Sequence, residues 1–217
     1  MSQASFEIEP FFLDGKQNSL FCIHLYLAGV TCKGSILYLH PFAEEMHKSR
    51  CMAALQARHF AQAGYAVLQV DLTGCGDSSG DFADATWQAW LNDARRAHDW
   101  LSSRHATPVS LWGLRIGASL AVELASTLPD IEQLLLWQPV VNGEQYLNQF
   151  LRIKLAGEML SQGQAQNGTK ALRASLEAGS NIEVGGYMLK LGIHLFTVIL
   201  SAKDALAQKY PAMTALY

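Results

Sequence analysis

The stretch that decides the predicted fold is Val109-Ser-Leu-Trp-Gly-Leu-Arg-Ile-Gly-Ala118, in which a short apolar run passes through a Gly-x-x-x-Gly turn into a helical segment. Gly113 and Gly117 permit a strained turn that comes close to neighbouring elements. A bare Gly-x-x-x-Gly pattern is weak, because small residues also serve simple packing between a helix and a strand. The strand before it and the helix after it raise the specificity of the pattern. The residue at the middle of the turn is Arg115.

Strand and helix signals alternate on both sides of this turn. The predicted strands are 6–13, 21–27, 35–40, 65–70, 109–112 and 133–137. Amphipathic segments between them predict helices, the first capped by Ser49 and the second by Asp84. Such alternation predicts right-handed crossovers and a three-layer α/β fold with a mostly parallel sheet, in which the first two strands form an antiparallel edge. A further helix, 146–160, lies in a segment, 142–180, that we expect to form a lid-like insertion.

The composition is that of an ordinary globular protein, with 217 residues, 50% of them hydrophobic, and a net charge of −3. This length favours one domain over residues 1–217. The charge gives no reason to expect nucleic acid or an anionic membrane as a partner. The N-terminus lacks the features of a signal peptide, and the longest apolar stretch, 187–200, is too short to span a bilayer. We therefore expect a cytoplasmic protein whose four cysteines stay reduced.

Several motifs resemble those of one superfamily. The loop Asp71-Leu-Thr-Gly-Cys-Gly-Asp-Ser-Ser-Gly80 resembles the Asp-x-x-Gly-x-Gly-x-Ser-x-Gly loop of serine-aminopeptidase-like and lysophospholipase-like α/β hydrolases. His40-Pro-Phe42 stands in the place of their oxyanion loop, and the turn at Arg115 in that of their nucleophile elbow. With residues 40–50, 84–87 and 112–117, the set is similar to the exosortase A system-associated hydrolase 2 family, over roughly residues 5–190. The resemblance implies an α/β-hydrolase fold and hydrolysis of an ester, thioester or amide in an exopolysaccharide-related pathway, without naming a substrate.

The sequence departs from the hydrolase pattern where the chemistry begins. Arg115 stands where the serine nucleophile is expected, and a guanidinium stays protonated at neutral pH. The triad order in this fold is Ser, Asp/Glu, His, yet the last histidine, His194, precedes the plausible acid Asp204. Only residues 205–217 follow Asp204, too few for another helix, strand and closing helix. We therefore expect a sheet shortened at the C-terminus, with an exposed edge that favours a homodimer. Three hypotheses stay open: a hydrolase with a non-standard elbow, a non-catalytic binding protein, and an inactive truncated product.

Arg115 also suggests a role other than catalysis. By position, the backbone N–H groups of Phe42 and Ile116 form an oxyanion-hole pair, and the guanidinium adds a fork suited to a carboxylate or phosphate. These residues predict a site for a small anionic or acyl ligand. The alternative is that Arg115 pairs internally and holds loops together. Its candidate partners are Glu44, Glu45, Asp71 and Asp77.

Other candidates for the chemistry are weaker. Cys75 and His40 could form a nucleophile–base dyad, although small buried cysteines are far commoner than catalytic ones. Glu44 and Glu45 could act as an acid/base pair, although a solvated loop edge explains them as well. The histidines show no metal-ligand spacing, so no metal is expected. No Walker loop or dinucleotide fingerprint occurs, so no cofactor is expected.

Overall fold

The computed structural model describes residues 5–15, 18–162, 168–189 and 214–216. The strands within these ranges are β1 (Ser5–Asp14), β2 (Ser19–Ala28), β3 (Ser35–Leu39), β4 (Ala66–Val70), β5 (Val109–Leu114), β6 (Ile131–Trp137), β7 (Ile182–Val184), β8 (Tyr187–Leu189) and β9 (Thr214–Leu216). The α-helices are α1 (Ala43–Gln62), α2 (Trp87–His105), α3 (Ile116–Thr127), α4 (Gly143–Gln162) and α5 (Thr169–Glu177). A 3-10 turn, Phe82–Asp84, precedes α2.

Seven of these strands form one sheet in the order β1-β2-β4-β3-β5-β6-β9. Strands β4, β3, β5, β6 and β9 run parallel, whereas β1 and β2 form an antiparallel edge. The predicted mostly parallel sheet and its antiparallel opening pair are confirmed. Strand β9 lies beyond β6, so the described residues place one strand past the last one predicted in the parallel part of the sheet. The segment 190–213, which includes the candidate acid Asp204 and His194, lies outside the described residues.

Helices cover both faces of the sheet, which explains why the central strands are apolar throughout. All five residues of β3 are buried. On one face, α1 presents small residues at helical spacing, Ala53, Ala57 and Ala61, which pack with Tyr38 and Trp112. On the other face, the buried residues of α2 and α3 join the larger part of the core. The predicted α/β architecture therefore follows from strands that are buried on both sides.

Two predicted helix starts are wrong. Helix α1 begins at Ala43, and Ser49 lies inside it, where its hydroxyl donates to the Glu45 carbonyl oxygen at 2.7 Å. Helix α2 is capped by Thr86, whose hydroxyl accepts from the Ala89 N–H at 3.0 Å. The physical reason is that an N-cap has an extended backbone and a side chain that reaches the third helical N–H. Thr86 meets both conditions, whereas Asp84 belongs to the preceding 3-10 turn.

The described residues of the segment predicted as a lid-like insertion, 142–162 and 168–180, contain two helices. Helix α4 confirms the predicted helix 146–160 and extends it at both ends. Helix α5 and the β7–β8 hairpin follow, and the buried side chains of α4 and α5 join the larger part of the core. Among the described helices, none combines the length and the hydropathy needed to cross a membrane.

His24 is a buried titratable residue in the antiparallel edge. Its Nε2 lies 2.8 Å from Nε2 of His105, and its Nδ1 lies 3.5 Å from a carboxylate oxygen of Glu9. Burial, reinforced by His105, lowers the pKa of His24 to about 4. Burial also lowers the pKa of His105. Both rings are therefore neutral at pH 7 in the folded protein.

We predict that these histidines make the fold sensitive to mild acid. An unfolded histidine titrates at about pH 6.5, so below that pH the unfolded chain binds more protons than the folded chain. The free energy of unfolding should fall as the pH drops from about 7 to 5, and His24→Gln should weaken that dependence. Urea unfolding at pH 7, 6 and 5 measures the free energy of unfolding of each protein. The control is His59→Gln, at an exposed position of α1. Equal pH slopes in all three proteins would contradict the assignment.

Candidate functional site

Arg115 lies in the sharp turn between β5 and α3. Its backbone has φ 55° and ψ −118°, a combination that residues with a side chain seldom adopt. The N–H of Arg115 donates to the Trp137 carbonyl oxygen at 2.9 Å, which fixes the turn to the end of β6. A strained backbone held in this way, at the carboxyl end of a parallel strand, is typical of functional sites.

The two glycines of the turn are required by close approach. A Cβ atom at Gly113 would lie 2.4 Å from the Cα of Ala118. A Cβ atom at Gly117 would lie 2.2 Å from the Leu39 carbonyl oxygen and 2.6 Å from that of His40. These distances are too short for non-bonded atoms, so only glycine, which has no Cβ, fits at either position. The first turn of α3 therefore rests directly on the end of β3.

The side chain of Arg115 is paired with one carboxylate. Its Nε donates to Oε1 of Glu45 at 3.0 Å, and a terminal nitrogen donates to the Gln138 carbonyl oxygen at 3.3 Å. The pair is partly open to solvent, with 27% of the Arg115 side chain and 36% of the Glu45 side chain exposed. Glu45 is thus the partner among the four candidate carboxylates. Glu44 instead pairs with Lys48, at 3.7 Å.

Helix α4 brings a third residue to this pair. The hydroxyl of Tyr146 donates to Oε2 of Glu45 at 2.6 Å, and its ring centroid lies 5.4 Å from the guanidinium carbon of Arg115. Burial and the adjacent Glu45 carboxylate raise the pKa of Tyr146 well above its ordinary value, so the hydroxyl keeps its proton. The role of Tyr146 is not predictable from the sequence, because its partner lies 101 residues away and no local pattern marks it.

Phe42 and Ile116 flank the site at the starts of two helices. Phe42 is the residue before α1, and Ile116 is the first residue of α3. The ring of Phe42 packs against α4, with centroids 5.8 Å from Tyr146 and 5.2 Å from Phe150. Both residues are buried beside the elbow. The role of their N–H groups as an oxyanion-hole pair stays a prediction.

His40 is held by two backbone groups. Its Nε2 accepts from the Leu72 N–H at 3.0 Å, so Nδ1 carries the ring proton and donates to the Pro41 carbonyl oxygen at 2.5 Å. Burial lowers the pKa of His40, which keeps the ring neutral. Burial raises the pKa of the Cys75 thiol to about 12, so that thiol stays protonated. In this arrangement neither ring nitrogen is free for Cys75, and the Cys75–His40 dyad stays a hypothesis without a contact behind it.

Asp71 organises the glycine-rich loop that follows β4. Its Oδ2 accepts from the Asp77 N–H at 3.0 Å and from Arg50 at 2.8 Å. The hydroxyl of Ser78 donates to the Asp71 carbonyl oxygen at 2.5 Å and accepts from the Phe21 N–H at 2.8 Å. The loop residues therefore bind one another and the sheet. Within the described part of the chain, no group of three or more His, Cys, Asp or Glu side chains could hold a metal ion.

The chain matches one family of known proteins and several solved structures that share one fold. Residues 31–178 match the family described as serine aminopeptidase, S33. Human protein ABHD12B is 31% identical over 112 residues, which are 49% of this chain and 30% of that protein. The chain therefore spans less than a third of the length of this curated relative.

Solved structures similar to this chain carry α/β-hydrolase folds. Est1E from Butyrivibrio proteoclasticus, solved with ferulic acid, has a TM-score of 0.59 at 19% identity, covering 89% of this chain and 70% of its own. Mouse α/β hydrolase domain-containing protein 10 has a TM-score of 0.54 at 16% identity, covering 90% and 70%. An α/β serine hydrolase homologue from Coxiella burnetii has a TM-score of 0.53 at 18% identity, covering 61% and 64%. At these identities the similarity shows the α/β-hydrolase fold alone.

We predict that Gly117→Ala destabilises the protein, because the new Cβ would meet backbone rather than a movable side chain. The expected cost is about 2–3 kcal/mol of unfolding free energy, the scale of overpacked sites. Gly157→Ala is the matched control, because nothing lies within 4 Å of a Cβ there and the position is inside α4. In that control the free energy of unfolding should rise by about 0.5–1 kcal/mol, because alanine favours a helix interior more than glycine does. Denaturant unfolding of both variants measures the contrast, and equal stabilities would contradict the close approach.

Proposed function

The chain belongs to the serine aminopeptidase S33 family of α/β hydrolases, and from that premise we propose that it binds a small anionic or acyl ligand at its elbow through Arg115. The observation that carries this proposal is the position of the guanidinium. It lies at the start of α3, and the helix dipole favours an anion at a helix N-terminus. In the hydrolase fold, this turn is also where the substrate meets the protein.

The donors of Arg115 leave capacity for a ligand. A guanidinium has five N–H groups, and two of them bind Glu45 and Gln138. The remaining three have no acceptor among the residues that the structure describes. Side-chain exposure of 27% leaves the group within reach of solvent. A carboxylate, a phosphate or a polarised acyl oxygen could accept from these donors.

The segment 142–180 fits a lid for this site. Helix α4 covers the elbow with Tyr146, which binds Glu45, and with Phe150, which packs on Phe42. Helix α4 leaves 27% of the Arg115 side chain exposed, so closer packing of this helix on a bound ligand would exclude more water. Exclusion of water strengthens charge-assisted hydrogen bonds. We propose that this segment closes over the ligand within a single domain.

Hydrolysis of an ester, thioester or amide is the second candidate function. Family membership favours it, and the motif resemblance supports a place in an exosortase-associated exopolysaccharide pathway. Arg115 cannot supply the nucleophile, and the Cys75 thiol keeps its proton. Catalysis would need another nucleophile. Binding without acyl transfer therefore fits the elbow better. Cytoplasmic localisation, a homodimer and the alternative of an inactive truncated product remain predictions.

We predict that Arg115→Ala weakens anion binding. Loss of charge-assisted hydrogen bonds should raise the dissociation constants of butyrate and inorganic phosphate about 10- to 100-fold. Isothermal titration calorimetry measures both constants. Arg58→Ala, at an exposed position of α1, is the matched control for the loss of one positive charge. Unchanged binding by Arg115→Ala, or equal loss in both variants, would contradict the proposal.

We also predict that a serine-directed fluorophosphonate leaves the protein unlabelled, because no serine occupies the elbow. Intact-mass spectrometry after incubation measures labelling. A panel of p-nitrophenyl esters and acyl thioesters, followed in parallel, should show no turnover above the rate without protein. Labelling of any serine together with turnover would favour the second candidate function over the first.

A further inference from the structure

Glu45 presents a carboxylate to two donors from different elements. Its Oε1 accepts from Nε of Arg115 at 3.0 Å, and its Oε2 accepts from the hydroxyl of Tyr146 at 2.6 Å. The first donor belongs to the β5–α3 turn and the second to α4. Two donors that each bind one oxygen of the same carboxylate form a receptor for a planar, two-oxygen anion.

We propose that Glu45 is an internal stand-in for a ligand carboxylate, and that a carboxylate-bearing ligand displaces it and binds both Arg115 and Tyr146. This inference rests on the proposed function, and it adds the chemical class of the ligand and a second binding residue. Tyr146 becomes a residue that determines specificity, and Glu45 becomes a competitor that the ligand must replace.

The pair of Arg115 and Glu45 is suited to exchange. Both side chains are partly exposed, at 27% and 36%, and an ion pair with this exposure contributes little to stability because water screens it. Glu45 also lies in the first turn of α1, where the helix dipole favours a negative charge. A Glu45 carboxylate released from Arg115 therefore keeps a favourable environment near its own helix.

The charges favour a carboxylate over a phosphate. Once Glu45 is displaced, the donors are one guanidinium with a single positive charge and one neutral hydroxyl, since Tyr146 keeps its proton. A monoanion balances that charge, whereas a phosphate dianion leaves a negative charge without a partner in a partly dry site. Tyr146 packs against Phe42, and Phe42 packs against Phe150, so the surroundings of the donors are apolar. A carboxylate with a short apolar body matches this setting.

The test uses three ligands and a matched pair of variants. Butyrate is the carboxylate probe, butyramide its neutral isostere, and inorganic phosphate the competing anion. Glu45→Gln removes the competing charge, and it should bind butyrate about five-fold more tightly, with butyramide unchanged. Glu44→Gln is the control, because it makes the same change at the next residue, which pairs with Lys48 instead of Arg115. Its affinity for butyrate should stay within about two-fold of the wild type.

Tyr146→Phe, made in the Glu45→Gln background, tests the second donor. It should lower butyrate affinity about five-fold, because a hydrogen bond to a charged group is lost. Thermal unfolding of each variant identifies any loss of folded protein. Calorimetric titration gives the affinities, and hydrogen exchange in α4 reports whether the helix stays docked on the ligand.

Each result decides between the proposals. Weaker or unchanged butyrate binding in Glu45→Gln overturns the proposal that Glu45 stands in for a ligand carboxylate, because Glu45 would then only position Arg115. Unchanged butyrate affinity after Tyr146→Phe overturns the role of Tyr146 as the second donor, and tighter binding of phosphate than of butyrate overturns the choice of a carboxylate ligand. Butyrate binding that is unchanged by Arg115→Ala overturns the proposed function itself. Binding that depends on Arg115 but not on Glu45 overturns this inference and leaves the proposed function standing.

Discussion

The contact on which the site depends is the approach of Gly117 to the carbonyl oxygens of Leu39 and His40. No side chain separates α3 from β3 there, so the first turn of α3 lies directly against the end of the central strand. The same contact places Arg115 beside the chain that leads into α1, which begins three residues after His40. The starts of two helices, and their dipoles, thus meet at one end of the sheet.

Three elements complete the site, and none of them could do so alone. The β5–α3 turn supplies Arg115, α1 supplies Glu45 and α4 supplies Tyr146. If a ligand carboxylate displaces Glu45 as we propose, internal pairing and ligand binding use the same Nε donor of Arg115 and are two states of one site. A guanidinium that is held by a partly exposed carboxylate is already arranged for an incoming one. Burial raises the pKa of Tyr146, so its hydroxyl keeps its proton and remains a hydrogen-bond donor.

The fold was predictable because its signals are local. Apolar runs predict the central strands, and the glycine pair of the elbow predicts a close approach, whatever lies elsewhere in the chain. The helix starts were missed because a cap depends on backbone conformation: Thr86 is extended, whereas Asp84 lies in a 3-10 turn. The choice of Glu45 over Glu44 depends on the phase of α1, since adjacent helical residues point about 100° apart. Contacts between distant segments, such as that of Tyr146, leave no periodic trace in the sequence.

The backbone of Arg115 separates the stability of the fold from the chemistry at its elbow. The strain at φ 55° belongs to the main chain, and the hydrogen bond that holds it runs from the N–H to Trp137. Any residue with a Cβ at position 115 meets much the same energetic cost, whether its side chain is a hydroxyl, a thiol or a guanidinium. The backbone therefore fixes where the side chain at position 115 lies. The type of side chain at that position can change without a change in the sheet.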